Sequence, residues 1–167
     1  GLLRMDFLGL RNLDVISDTL QRLKLPFDYL ESISLDDPEV YSMLQRGEGI
    51  AVFQVESPQM RDLLERLRPT SIDDISAVLA LYRPGPMAMN MHYDYADRKN
   101  GLQPAKSFHE VAKDILSETY QLAIYQEQVM EISKEFAGYT MAEADNLRKI
   151  MGKKLPEKMA AEKSKFV

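Results

Sequence analysis

Apolar residues recur along this chain of 167 residues at intervals of three and four, the spacing that gathers them on one side of an α-helix. Leu13, Ile16, Leu20 and Leu23 form the first such stripe, and Pro26 ends it, because proline has no amide proton to continue the ladder. Asp37 precedes Pro38 as an N-cap followed by proline at the first helical position, and this short helix is expected to stop at Gly47. Ser57-Pro58 opens a helix carrying Met60, Leu63, Leu64 and Leu67, and Ser71 to Asp74 is a capping box for a helix through Val78 and Leu81. Each proline of Arg83-Pro84-Gly85-Pro86 disfavours the α conformation in the residue before it, so helix is expected to stop there and resume from Met87 to Lys99. Ser107 to Glu110 is a second capping box, with its helix ending near Ser117. Val129, Ile132 and Phe136 mark a longer helix from about Tyr125 that Gly138 closes. Thr140 to Glu143 is a third capping box, its helix carries Leu147, Ile150 and Met151 before Gly152, and a last helix starts at Pro156.

Two segments read as extended. Leu3-Arg4-Met5-Asp6-Phe7-Leu8 alternates with period two, placing Leu3, Met5 and Phe7 on one face and Arg4, Asp6 and Leu8 on the other. Gly49 to Val55 is β-branched and bounded by turn residues. The expected fold class is therefore mainly α: a compact multi-helix unit with a short N-terminal β-strand and one minor extended element. No internal repeat, linker or low-complexity tract divides it.

Composition narrows the chemistry. With no cysteine, the chain has no disulfide, thiolate metal site or cysteine nucleophile. At 45% hydrophobic and 28% charged residues it falls in the ordinary globular class, and no apolar run is long enough to span a bilayer. It reads as a cytoplasmic protein without a membrane partner. The opening Gly-Leu-Leu and the charged helical ending mark it as a piece of something longer.

Charge changes the picture more. From Asn146 to Val167 seven cations face only Glu157 and Glu162, a local +5 in a chain whose total is −5, so residues 1–145 carry −10. Arg148, Lys149, Lys153 and Lys154 are the heart of this patch. A basic patch on an acidic molecule suits a phosphate ligand; a solvated helix end with cations favoured by the macrodipole is the plainer reading. Near the N-terminus, Arg4 and Asp6 would stand side by side on one strand face, an arrangement that suits a hard divalent cation beside a phosphate, although a surface ion pair explains it as simply. His92 and His109 have no companions at ligand spacing.

Five segments together resemble a known family. Gly1 to Arg11 around Met5-Asp6-Phe7-Leu8, Val52-Phe53-Gln54-Val55-Glu56-Ser57, Leu81-Tyr82-Arg83-Pro84-Gly85-Pro86-Met87, Tyr125-Gln126-Glu127-Gln128-Val129-Met130 and Arg148-Lys149-Ile150-Met151-Gly152-Lys153-Lys154 are similar, in order and spacing, to the α subunits of bacterial DNA polymerase III, the replicative C family. The resemblance covers essentially the whole chain. It implies that residues 1–11 end the palm with its last catalytic strand and that residues 12–167 belong to a mainly helical fingers domain.

The same resemblance implies roles. Asp6 matches the third carboxylate of the palm triad, a ligand of two Mg2+ ions in the intact enzyme, and Arg4 matches a basic palm position near the incoming nucleotide. Arg148 and Lys149 fall where relatives usually carry two arginines that meet the triphosphate; Lys149 keeps the charge but not the planar fork, and Ile150 replaces a frequent alanine. Lys153 and Lys154, after Gly152, are expected at triphosphate or DNA phosphates. Arg83 is a nucleotide-facing candidate on a proline-rich turn, and Gln54 and Gln126 are candidate positioning residues. The implied partners are template-primer DNA, a deoxynucleoside triphosphate, the remainder of the polymerase subunit and replisome proteins. One carboxylate cannot hold two metal ions, so the chain alone is expected to be inactive. A different class of answer is a non-catalytic module whose basic segment docks an acidic protein.

Overall fold

A computed structural model describes residues 4–166, and its regular elements are all helical. Ten α-helices follow in order: α1 (Arg11–Leu23), α2 (Pro38–Gln45), α3 (Pro58–Leu67), α4 (Ile72–Leu81), α5 (Pro84–Ala88), α6 (Met91–Lys99), α7 (Glu110–Ile115), α8 (Gln126–Ala137), α9 (Met141–Gly152) and α10 (Pro156–Phe166). Short 3-10 turns lie at Phe27–Ser32 and Ser117–Thr119.

The caps do what their chemistry predicts. Asp37 accepts the amide of Glu39 at 2.9 Å and Ser57 that of Met60 at 3.3 Å, each satisfying an N–H that has no partner inside the helix. Thr140 and Glu143 form the reciprocal box: the Glu143 amide donates to Thr140 Oγ1 and the Thr140 amide to Glu143 Oε2. Gly138, at φ +63°, closes α8 in the left-handed region. At α4 the box is half made, because Asp74 donates its amide to Ser71 but turns its carboxylate to the amide and hydroxyl of Thr70.

Four expectations are corrected. Among the described residues no strand forms: Arg4 to Leu10 is irregular, and it has no neighbouring strand to supply a ladder. Leu3, counted on one face of that strand, lies outside the described residues. Gly49 to Val55 is a run of turns, with Val52 N donating to Gly49 O and Val55 N to Val52 O, and with Ala51 and Gln54 both at φ 65°. A side chain at Gly49 would meet Val55 O at 2.7 Å, so the close approach of these turns needs glycine. Helix α4 does stop ahead of Arg83-Pro84-Gly85-Pro86, at Leu81, but that segment itself opens a new helix before Met87. Arg83 is extended (φ −139°, ψ 152°), as the residue before a proline should be, and Pro84 takes the first helical position of α5; a second break falls at Asn90 (φ 57°), within the stretch from Met87 to Lys99 expected to be one helix. Finally, α7 is capped by His109, whose Nδ1 accepts the Val111 amide, while Ser107 donates to the His109 carbonyl.

Packing builds two cores. Leu44, Val55, Met60, Leu63, Leu64, Leu67, Ala77, Val78, Leu81, Tyr95 and Ala96 join α2, α3, α4 and α6. Tyr139, Ala144 and Leu147, with Met130, Ala137 and Phe166 against them, join α8, α9 and α10. Polar links run from the first core towards α8. Arg98 Nη1 donates to the carbonyl of Tyr120 at 3.0 Å, the Tyr120 ring meets Tyr95 edge-on at 5.1 Å, and Gln128 Nε2 donates to Thr119 Oγ1 at 2.7 Å. Gln128 also accepts the amides of Ile124 and Tyr125 through its Oε1 and so fixes the start of α8. By contrast, α1 buries only Leu20, leaving Leu13, Val15 and Leu23 exposed.

Candidate functional site

The last two turns of α9 carry the strongest cations, and their geometry follows from helical spacing. Ala144, Leu147 and Ile150 are buried, which anchors α9 and turns Asp145, Arg148 and Lys149 towards its open side. Arg148 donates through Nε (2.9 Å) and Nη2 (2.7 Å) to Asp145 Oδ1, and Lys149 Nζ lies 2.6 Å from Asp145 Oδ2. The two cations thus share one carboxylate at i−3 and i−4. The ammonium of Lys149, and after it the guanidinium of Arg148, hold the Asp145 carboxyl below its ordinary range.

Arg148 also reaches another helix. Its Nη1 donates to Gln126 Oε1 at 3.1 Å, so two residues 22 positions apart, singled out in separate motifs, meet at the α8–α9 junction. Gln126 in turn lines a cleft of about 630 Å³ with Arg83, Pro86, Leu79 and Tyr125. Arg83 also lines a smaller cleft of about 310 Å³ with Gln54, Tyr82 and Met60. Arg83, exposed at the start of α5, is therefore shared by both clefts. Gln54 and Arg83 share one cleft, Arg83 and Gln126 another, and Gln126 meets Arg148 through a hydrogen bond.

Beyond α9 the chain reverses. Lys154 adopts φ 50°, its amide donates to Met151 O, and the Leu155 amide donates to Ile150 O. This is a Schellman-type stop with lysine where glycine is usual. Lys153 and Lys154 stand exposed at its tip. Gly152 itself is the last residue of α9, and a side chain there would meet nothing within 4 Å. No neighbour among the described residues requires a glycine there.

Arg4 and Asp6 are elsewhere in the contact network. They pair with each other, Nε to Oδ1 at 3.0 Å, with side chains 87% and 75% exposed, and among the described residues no hydrogen bond or ion pair joins them to the Arg148 group. No group of three His, Cys, Asp or Glu side chains that could hold a metal ion occurs among the described residues. Asp6 alone, tied to a cation, does not make a two-ion site, so the residues present do not fit a complete Mg2+ centre. Among the tyrosines near these elements, Tyr95 is buried and Tyr93 lies beneath the Arg66 guanidinium, whose carbon sits 4.3 Å from the ring centre. Tyr82 and Tyr125 remain beside Arg83.

Asp145 was absent from the sequence reading, although its spacing to Arg148 and Lys149 carried the information. Its role depends on which side of α9 is buried.

The arrangement is that of a helical module in which Arg148 of α9 meets Gln126 of α8, and Gln126 shares a cleft with Arg83 at the start of α5. The chain belongs to the bacterial DNA polymerase III α-subunit finger domain family, whose sequence profile matches residues 12–167. It is 54% identical to the DNA polymerase III subunit alpha of Mycobacterium leprae over 97% of its length, 51% identical to that of Mycobacterium tuberculosis over 97%, and 46% identical to that of Aquifex aeolicus over its whole length. It spans 14–15% of the length of these relatives.

Proposed function

We propose that this chain is the part of a template-directed DNA polymerase that receives the incoming deoxynucleoside triphosphate. Arg148 and Lys149 meet the triphosphate, Arg83 lies along the same face, and Gln126 and Gln54 position the ligand and its cations. Lys153 and Lys154 extend the face to the triphosphate or to template-primer phosphates. Residues 1–11 are assigned to the palm and 12–167 to the fingers. In this assignment Asp6 is one carboxylate of a metal site completed by residues outside this chain, and Arg4 is its basic neighbour.

The observation that carries the reading is the Arg148–Gln126 hydrogen bond. It joins two motifs distant in sequence, and Gln126 in turn shares a cleft with Arg83, which shares another with Gln54. Fixed cations there need no reorganisation when negative charge builds on the departing pyrophosphate, which is how preorganised charge lowers a barrier. Holding the ligand is also an ordering task, and α9 is anchored by its buried side for that purpose. Nucleotide transfer is assigned to the complete subunit, and the chain alone is expected to be inactive.

Residue-resolved NMR titration of the chain tests the reading. A deoxynucleoside triphosphate should perturb Arg83, Gln126, Arg148 and Lys149 more than equal pyrophosphate does, and sulfate should act least, with binding weakening steeply as salt rises. Equal response to every anion, or perturbation scattered away from α9, would leave only a general basic patch of the kind that docks an acidic protein.

A further inference from the structure

Two cations on one carboxylate is an unusual way to present positive charge to an anion. Asp145 faces Arg148 and Lys149 at 2.6–2.9 Å, so simple Coulomb reasoning gives it a negative role, a charge that opposes the phosphate. Three observations point the other way. Asp145 and Gln126 engage three of the five guanidinium N–H donors of Arg148, through Nε, Nη2 and Nη1, which leaves two for a ligand. Lys149 Nζ is a three-donor group for which Asp145 is the one ion-pair partner among the described residues. Both cations also rise from a helix whose opposite side is buried through Ala144, Leu147 and Ile150, so the carboxylate that joins them has a fixed base.

We propose that Asp145 is a positioning residue for the incoming nucleotide: it holds the Arg148 guanidinium and the Lys149 ammonium side by side, and they meet the triphosphate without releasing it. This rests on the assignment of Arg148 to the triphosphate. Long cationic side chains lose much rotamer freedom when a ligand orders them; with Asp145 in place that ordering precedes binding. The opposing repulsion is weak, because the carboxylate is partly exposed to solvent and salt, and both partner cations lie against it. The same two cations keep the carboxyl below its ordinary range, so it stays charged at any pH used to assay a polymerase.

The sign of one substitution decides between the roles. In the full-length α subunit, Asp145→Asn preserves size and removes the charge. Single-turnover incorporation should show KM for the deoxynucleoside triphosphate rising about five- to tenfold, the scale of one weakened charge-assisted hydrogen bond. Primer-template affinity should be unchanged, which also shows that the variant is folded. Asp145→Glu should recover part of the loss. In an Arg148→Ala/Lys149→Ala background, Asp145→Asn should change KM less than about twofold, because both groups it positions are gone. An unchanged or lowered KM in Asp145→Asn, with Arg148→Ala still impaired, overturns the inference and leaves the Arg148 assignment standing. Normal nucleotide use by Arg148→Ala overturns that assignment and the inference with it.

Discussion

Lys154 stands at φ 50°, in the left-handed region where a side chain costs roughly 1 kcal/mol and glycine costs little. Local stability would favour glycine there, whereas the proposed phosphate contact needs a cation. Lys154→Gly is therefore expected to raise stability by about 1 kcal/mol in urea denaturation, and to weaken anion binding with a shallower salt dependence, by about one phosphate contact. A variant that is less stable, or that binds anions as before, would contradict this account of the turn. At this scale the sequence was informative about charge and silent about partnership. Arg148, Lys149, Lys153 and Lys154 stand out because cations cluster in an acidic chain. Asp145 did not, because its meaning lies in contacts of 2.6–2.9 Å that exist only once α9 is folded and oriented. Gln126 was visible as part of a motif, but its acceptor role towards Arg148 needed two helices to meet. The left-handed Lys154 had no local warning, since glycine sits two residues earlier.

The helices were legible where a side chain caps its own backbone, because such bonds are local: Asp37, Ser57 and Thr140 act within three residues. Extended segments were not, because a strand exists only with a neighbour, and alternation at Arg4 to Leu8 cannot supply one. Two contacts between elements give predictions. Lys99 on α6 lies 3.3 Å from Asp74 on α4, with side chains 10% and 7% exposed. Lys99→Met should leave a buried carboxylate without its cation and cost about 3 kcal/mol in urea denaturation; a loss well under 1 kcal/mol would show that Thr70 alone suffices. At the other core, Lys165 of α10 donates to Glu143 of α9 at 2.7 Å. That ammonium, with the amide and hydroxyl of Thr140, holds the Glu143 carboxyl at about 2, below its ordinary 4.5. The unfolded chain binds this proton first, so the contribution is full above pH 4.5 and is lost as pH falls towards 2. The Phe166 ring, 6.0 Å from Tyr139, should report α10 loosening across that window by NMR, and Glu143→Gln should remove the transition. Phe166 signals that stay constant down to pH 2 would contradict it.

Across the whole molecule, two cores joined through Tyr120, Thr119 and Gln128 hold α5, α8 and α9 so that Gln126 meets Arg148 and shares a cleft with Arg83. The mainly helical character and the position of the basic end were readable from periodicity and charge. The convergence of that end with Gln126 and Arg83 was not, because it depends on how α8 packs on α9. The acidic group near the N-terminus remains apart in the contact network, paired with Arg4, and no helix among the described residues is long and apolar enough to cross a membrane. Membership of the α-subunit finger domain family makes the cationic face the centre of the account, and its central claim is that Arg148 acts on the triphosphate as charge develops. Single-turnover kinetics of the full-length subunit carrying Arg148→Ala test this most directly. The expected result is a fall in kcat/KM for the deoxynucleoside triphosphate of about 100-fold, shared between KM and maximal rate, with primer-template affinity little changed; an unaltered kcat/KM would contradict it.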